Sequence, residues 1–224
     1  MTTDGAGWQA WFEHVWEDRE ERVYRELFGE INDGIYTLSA EIFTQTFQQG
    51  TLDPRWLFYG VLESPPSANR ASWLYVTSGM SNPWEDDKPN SDQLSGLGCE
   101  FVFETTQRGE WAIQRLQELM AYQILLAHGR YEGREVMGYY DRLTLRASIM
   151  PGFDSAIRNL VLAPPAGYPD EFQLESGTVV LIAVAGITDV EVQFAREHSS
   201  EALLTLLQQA NAFPITDPQR HPIL

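Results

Sequence analysis

Two runs of sequence decide the fold of this chain: SWLYVT at residues 72–77 and LGCEFVFE at residues 97–104. Both are rich in β-branched and aromatic residues, which are typical of strands. The segment between them carries prolines and a charge run, so it is predicted to be an exposed loop. The two runs therefore predict a pair of antiparallel strands joined by a long connection.

The second run alternates between two kinds of side chain. Cys99, Phe101 and Phe103 would share one apolar face and lie on a core. The residues between them are predicted to meet solvent or a partner: Glu100, Val102 and Glu104.

The rest of the chain reads as helices and strands in a mixed order. Three helices are predicted at 8–28, 110–128 and 199–211, and a capping box at Thr188 opens a fourth. Further strands are predicted, at 56–62, 141–149 and 159–162, together with a fully buried central strand at 178–186. So few helical crossovers indicate an α+β fold, a mainly antiparallel (mixed) sheet with helices packed against it. The aromatic stripe of the first helix is predicted to be core: Trp8, Trp11, Phe12 and Trp16 with Val15.

The length and the ends of the chain set its organisation. The 224 residues suit one domain with a sizeable core, and no linker divides them. We expect a single domain at 1–211 and a loosely held tail at 212–224, which has three prolines. The N-terminus lacks the features of a signal peptide, and the longest apolar run is too short to cross a bilayer. With one cysteine, these features predict a cytoplasmic protein that does not bind membranes.

The charge is strongly acidic. Asp and Glu total 32 against 15 Lys and Arg, a formal net charge of −17. Such a surface repels phosphate backbones, which argues against nucleic acid as a partner. It would attract a basic partner and speed association, or it would only maintain solubility.

The sequence offers little for catalysis. Its four histidines are scattered, no zinc, P-loop or nucleophile-elbow motif occurs, and no cofactor is expected. Cys99 would point into the core, where a thiol is inert. The exception is Asp86-Asp87-Lys88, which has the D-x-K form of metal-dependent nucleases. Its position in a loop and the acidity of the chain favour a solvated loop instead.

Several segments together resemble the Suppressor of fused family. The strongest are residues 73–81, WLYVTSGMS, and 95–103, SGLGCEFVF, which are similar to the family's "W-x-Y-V-T-x-G-hydrophobic-S" and "S-G-x-G-x-E-hydrophobic-x-F". Gly7-Trp8, the helix after Trp111 and residues 176–191 also look like family segments. The resemblance spans most of residues 7–210 and concerns a fold, since none of these motifs is catalytic.

The resemblance implies a non-enzymatic protein-binding domain, similar to the short bacterial members, some of which are thought to be immunity proteins. The family's animal domain takes a peptide as an added strand, using a tyrosine that Tyr122 matches and an acidic turn residue. Here the turn reads Gly133-Arg134-Glu135, so a basic residue stands in place of the acid. The candidate protein-binding residues are those around this turn and in the polar loop: Tyr122, Glu132, Arg134, Trp84, Asp86 and Asp87.

The sequence therefore predicts a non-catalytic binding module whose partner is another protein. That partner would be a basic toxin, neutralised through the acidic surface, or a peptide added as a β-strand. The alternatives are a metal-dependent hydrolase or nuclease that uses the Asp86–Lys88 loop, and a regulatory scaffold.

Overall fold

A computed structural model describes residues 4–86 and 89–224 of the chain, apart from the side chain of Asp4. Within these residues nine strands form one sheet. The strands are β1 (Tyr36–Thr37), β2 (Gly60–Ser64), β3 (Trp73–Ser78), β4 (Leu94–Thr105), β5 (Arg142–Thr144), β6 (Ile157–Ala163), β7 (Glu171–Leu174), β8 (Gly177–Thr188) and β9 (Ile215–Thr216).

The helical elements are α1 (Asp4–Glu17), a π-helical segment (Asp18–Val23), α2 (Tyr24–Phe28), a second π-helical turn (Ile42–Thr46), a 3₁₀ turn (Pro54–Phe58), α3 (Glu110–Ala127), α4 (Asp189–Glu197) and α5 (Ser200–Gln209). The first three form one continuous helix, because the residues at their junctions keep right-handed helical dihedral angles. That helix ends at Gly29, whose φ is +83°. The capping box at Thr188 is present as predicted.

The sheet has the order β1-β2-β3-β4-β8-β6-β5, with β7 pairing with β8 and β9 with β4. The strands β3 and β4 pair antiparallel, as the sequence predicts. The strand β8 is central, since it pairs with β4, β6 and β7. Its pairing with β4 is parallel, so the sheet is mixed and the α+β prediction is confirmed. The strand β5 lies at an edge of the sheet.

Both faces of the sheet are covered. On one face α3 packs on Cys99, Phe101 and Phe103, as predicted. The first helix covers part of the other face near β2, β3 and β4, and α4 with α5 cover the part near β6 and β8. The prediction that alternate residues of β4 meet solvent or a partner is therefore wrong: Glu100, Val102 and Glu104 are all buried beneath elements of the same chain.

The buried Glu100 carboxylate holds the start of the connection between β3 and β4. It accepts hydrogen bonds from the backbone N–H groups of Gly79 and Ser81, at 3.1 and 2.8 Å. The hydroxyls of Thr77 and Ser81 also donate to it, both at 2.6 Å. Gly79 has a φ of +130°, and a Cβ there would lie 2.6 Å from the Tyr59 ring. The family-like residues therefore build a structural carboxylate site.

A buried arginine completes this network. Arg19 lies in the π-helical segment and is fully buried. Its guanidinium donates to Ser78 Oγ at 2.8 Å, Ser81 Oγ at 3.0 Å and Asn82 Oδ1 at 2.7 Å. Since Ser81 Oγ also donates to Glu100, one hydroxyl links the two buried charges. A buried charge is tolerated only when it is paired and hydrogen-bonded, so these residues depend on one another.

Three local predictions are wrong. The run 56–62 is a 3₁₀ turn followed by β2, because Asp53 and Pro54 start a helical turn in which Asp53 Oδ1 accepts from the Arg55 N–H. The run 141–149 keeps strand structure only over Arg142–Thr144. The aromatic stripe of the first helix is not all core, since Trp16 is 43% exposed while Val15 is buried.

The tail is held firmly, which corrects the prediction for residues 212–224. Phe213 is buried, and β9 pairs in parallel with the end of β4. Arg220 forms a two-pronged ion pair with the buried Glu191, at 2.6 and 2.7 Å. Burial alone would raise the pKa of Glu191, but hydrogen bonds from Arg220 and from the N–H groups of Thr188 and Ile223 together lower it. The domain limits themselves stay a prediction.

Candidate protein-binding groove

An open groove of about 1000 Å³ lies between α3 and the edge strand β5. We call it the β5–α3 groove. Its lining residues come from α3, from the segment that follows α3, from β5 and its extension, and from three other positions: Arg115, Glu118, Leu119, Tyr122 and Leu126; residues 133–137; residues 141–147; and Thr46, Phe47 and Leu160.

The strand β5 presents free backbone groups. Asp141 O and Leu145 N bond to β6, and Leu143 pairs directly with Leu160. In an antiparallel pair, residues alternate between groups that bond the neighbour and groups that point away. The N–H and C=O groups of Arg142 and Thr144 therefore point away from β6. Such an edge is a template for one more strand.

One buried side chain fixes the segment after α3 against the groove. Gly129, with a φ of +65°, follows α3 and lets the chain turn back. Gln123 then clamps this returning segment, because its Oε1 accepts from Met137 N at 2.8 Å and its Nε2 donates to Met137 O at 3.2 Å. Gln123 is buried, so the clamp is shielded from water. It fixes Met137, the last residue of the wall that residues 133–137 form along the groove.

Tyr122 lies at the centre of an aromatic cluster in this groove. Its ring stacks on Phe47 at 5.9 Å and contacts Tyr131 at 5.5 Å between ring centroids. The Tyr122 hydroxyl accepts a hydrogen bond from Arg134 Nη1 at 3.1 Å. The structure thus brings together two of the predicted binding residues, Tyr122 and Arg134, which lie twelve positions apart in the sequence.

The other predicted residues do not line the groove. Glu132 is exposed on the turn beside it. Trp84 packs on Phe12 of α1 with ring centroids 4.3 Å apart, and the backbone carbonyl of Asp86 accepts from Trp8 Nε1 at 2.7 Å. Both positions anchor the first helix. Asp87, with Lys88, lies outside the described residues.

Positive charge collects around the groove. Eight of the fourteen arginines form ion pairs with described carboxylates. The remaining six make no ion pair within residues 4–86 and 89–224, and all except Arg70 are exposed. Three of them line the groove, Arg134, Arg142 and Arg146, and Arg196 lies beside Arg142 and Thr144 of β5. The acidic chain therefore carries a cationic region at this edge.

Sequence reasoning missed the arginines on the β5 side of this groove. Arg142 and Arg146 were visible as the polar face of the alternating run at 141–149, and that alternation was the only signal. Arg142 turns toward α5 and donates to Ser200 Oγ at 2.6 Å. Arg146 lines the groove together with Arg134 and Tyr122. Burial raises the pKa of Tyr131, and both guanidinium groups oppose that rise.

Two further observations concern chemistry and membranes. Burial raises the pKa of the Cys99 thiol to about 12. No three His, Cys, Asp or Glu residues cluster in a way that could hold a metal ion, as far as the chain is described. None of the helices in residues 4–86 and 89–224 is long and apolar enough to span a membrane.

The fold and groove define an α+β domain with a covered mixed sheet and an open groove beside the edge strand β5. The family model of the Suppressor of fused protein matches residues 57–221. The chain therefore belongs to the Suppressor of fused family. A sequence comparison with curated proteins gave no match.

Solved structures share this fold at low sequence identity. A chain of the Sufu–Fu complex has a TM-score of 0.64 at 17% identity, and covers 97% of this chain and 92% of its own length. A homologue from Neisseria gonorrhoeae FA 1090 has a TM-score of 0.64 at 16% identity, over 96% and 98%. Drosophila Suppressor of Fused has a TM-score of 0.60 at 17% identity over 82% of this chain, which spans about half of that protein.

Proposed function

We propose that this protein is a non-catalytic binding module that takes an extended segment of another protein as an added strand on β5. The observation that carries this proposal is the edge of β5, where the backbone groups of Arg142 and Thr144 face away from β6 beside an open groove. A segment paired there would gain main-chain hydrogen bonds, and its alternate side chains would enter the groove. The likeness to a chain of the Sufu–Fu complex, a protein–protein complex, supports a protein as the ligand.

The groove is suited to hold such a segment. Leu143 and Leu145 are half-buried and line the groove with Leu119 of α3. Tyr122 offers an aromatic face, and aromatic anchors commonly carry much of the energy of peptide binding. The partner's apolar side chains would pack here, while backbone pairing would fix its direction.

The test removes one backbone N–H group of β5 that points away from β6. Thr144→Pro deletes the Thr144 N–H, which does not bond β6, and edge strands tolerate proline. Thr144→Ala is the matched control because it changes the side chain and keeps the N–H. Peptides are first selected against the wild-type protein from a random library displayed on phage. Their affinities for each variant are then measured by fluorescence anisotropy. We expect Thr144→Pro to weaken them at least tenfold and Thr144→Ala to weaken them less than threefold.

A second measurement avoids any change to the protein. Versions of the selected peptides with N-methyl groups at alternate residues lose strand hydrogen bonds on one side only. One of the two methylation registers should abolish binding and the other should preserve it. Equal binding by both registers, or by the proline and alanine variants, would refute strand addition.

A second surface supports toxin neutralisation as another candidate function. The first helix carries Trp16, 43% exposed, between exposed Glu13 and Glu17. An exposed aromatic side chain on an acidic stretch of helix suits a basic partner, and the net charge of −17 would speed its approach. The test is to co-express the chain with the product of the adjacent gene in a growth assay. Protection that is abolished by Trp16→Ala or Glu17→Lys would support an immunity role. If the product of the adjacent gene is not toxic, the immunity role is refuted.

A further inference from the structure

We propose that the segment bound by the β5–α3 groove is acidic and carries Asp or Glu side chains where it passes Arg134 and Arg146. This proposal rests on the strand addition proposed above and names the chemistry of the partner. It concerns a local region whose charge is opposite to that of the whole molecule.

The contacts of the two arginines leave them available for a ligand. Arg134 Nη1 donates to the Tyr122 hydroxyl at 3.1 Å, which is a bond to a neutral acceptor. Arg146 makes no ion pair with any described carboxylate, and both side chains are exposed. A guanidinium binds a carboxylate more strongly than a neutral hydroxyl, and it can do so through two parallel hydrogen bonds. An arriving carboxylate would therefore improve the bonding of both residues.

The carboxylates that line the groove do not satisfy these arginines. Glu118 pairs with Arg115 at 2.5 Å. Asp141 Oδ2 accepts from Gly138 N at 2.9 Å. Glu135 is exposed and makes no ion pair among the described residues. The lining residues thus hold four arginines and three carboxylates, of which Glu118 and Asp141 are already engaged.

The geometry limits where the acidic side chains would lie. Arg134 comes from the wall formed by residues 133–137, and Arg146 follows β5 on the opposite wall. Both side chains line this groove, and the positive charge of each opposes the rise that burial causes in the pKa of Tyr131. A strand paired with β5 would place alternate side chains between them. One or two carboxylates at alternate positions fit this arrangement.

The experiment selects ligands without assuming a sequence. A random dodecapeptide library on phage is selected against the wild-type protein and counter-selected against Thr144→Pro, whose folding is checked by circular dichroism. The expected pool is enriched in Asp and Glu at alternate positions. For each selected peptide, anisotropy compares the Glu form with its Gln analogue. The Glu form should bind about tenfold more tightly to the wild type.

Protein variants assign that preference to the two arginines. In Arg134→Gln/Arg146→Gln the preference for Glu over Gln should fall to less than twofold. Arg25→Gln is the control, because it removes one positive charge at the Glu21 pair outside the groove and should retain the preference. A preference that survives in the double variant would overturn the assignment.

The peptides recovered from the selection distinguish a failure of this proposal from a failure of the strand addition on which it rests. A pool that is sensitive to Thr144→Pro but neutral or basic would refute the acidic partner and leave strand addition standing. The absence of any pool sensitive to Thr144→Pro would refute strand addition, and the acidic partner with it.

Discussion

Replacing Glu100 by glutamine tests whether the family-like residues serve the fold. The carboxylate is fully buried and accepts four hydrogen bonds, two of them from backbone N–H groups. Glutamine keeps the shape, but it removes the charge and turns one acceptor into a donor. Thr77 Oγ1 donates to the carboxylate and accepts from Phe101 N at 2.8 Å. In the glutamine variant the Thr77 hydroxyl proton would therefore lose its hydrogen-bond acceptor.

The size of the expected loss in the free energy of unfolding follows from these contacts. Three hydrogen bonds to Glu100 Oε1 would change from charge-assisted to neutral, each weaker by roughly 0.5–1 kcal/mol, and one buried hydroxyl would lose its acceptor at a cost of about 1 kcal/mol. The buried Arg19 would also lose the negative charge that it reaches through Ser81. Removing one member of a buried charged network costs about 3–5 kcal/mol in total. We expect Glu100→Gln to lower the free energy of unfolding by about 3–4 kcal/mol.

The assay is urea unfolding followed by tryptophan fluorescence and by circular dichroism. Domain stabilities are about 5–15 kcal/mol, so the variant should still fold in buffer, with a lower midpoint and an unchanged m value. Glu30→Gln, at an exposed position, is the control and should change the stability by less than about 0.5 kcal/mol. Peptide affinity in buffer should stay within twofold, because Glu100 lies on the face of β4 away from α3. A loss no larger than that of Glu30→Gln would refute the structural role of this network.

Two other predictions concern the anchoring of the ends. Trp84→Ala removes the ring that packs on Phe12 at 4.3 Å, so it should lower the free energy of unfolding by about 2–3 kcal/mol. It should also speed hydrogen exchange across α1 and leave the affinity for groove peptides unchanged. Unchanged exchange in α1 would contradict this anchoring role. Arg220→Gln should cost about 3 kcal/mol at pH 7, because it leaves the Glu191 carboxylate buried without its cation. Since the pKa of Glu191 is lowered in the folded state, the stabilisation is present above pH 4.5 and is lost as the pH falls through the folded pKa. Urea unfolding at pH 7 and pH 3 should therefore show a gap between wild type and variant that narrows in acid, and a constant gap would argue against the ion pair.

Local patterns predicted most of the elements. The alternation in β4, the apolar run of β8 and the capping box at Thr188 each depend on neighbouring residues, and each is present in the structure. The same patterns could not say which sheet face is covered. Alternation shows that residues 100 and 101 point to opposite faces, but the cover on the second face comes from a helix some eighty residues earlier. The acidic residue Glu100 therefore read as solvent-facing.

The groove was only partly predictable for a related reason. Tyr122 and Arg134 were found by resemblance, while Arg146 depends on the return of residues 130–149 across α3, which no local pattern encodes. Whether an arginine forms an ion pair also depends on the tertiary structure. Arg115 and Arg146 look alike in the sequence, yet one pairs with Glu118 and the other lies in the groove without an ion pair to the described carboxylates.

We expect the total charge to be a poor guide to the ligand, because the residues that hold the fold together are separate from those that line the groove. The family-like positions Thr77, Gly79, Ser81 and Glu100 are occupied by one buried network and leave no free group for a partner. The groove lies on the other side of β4 and is free to differ in charge from the rest of the surface. A net charge of −17 sets the long-range attraction of a basic molecule, but this attraction is screened beyond about 10 Å in salt. At contact distance the exposed guanidinium groups that line the groove would act more strongly, and the acidic segment that we propose is complementary to them.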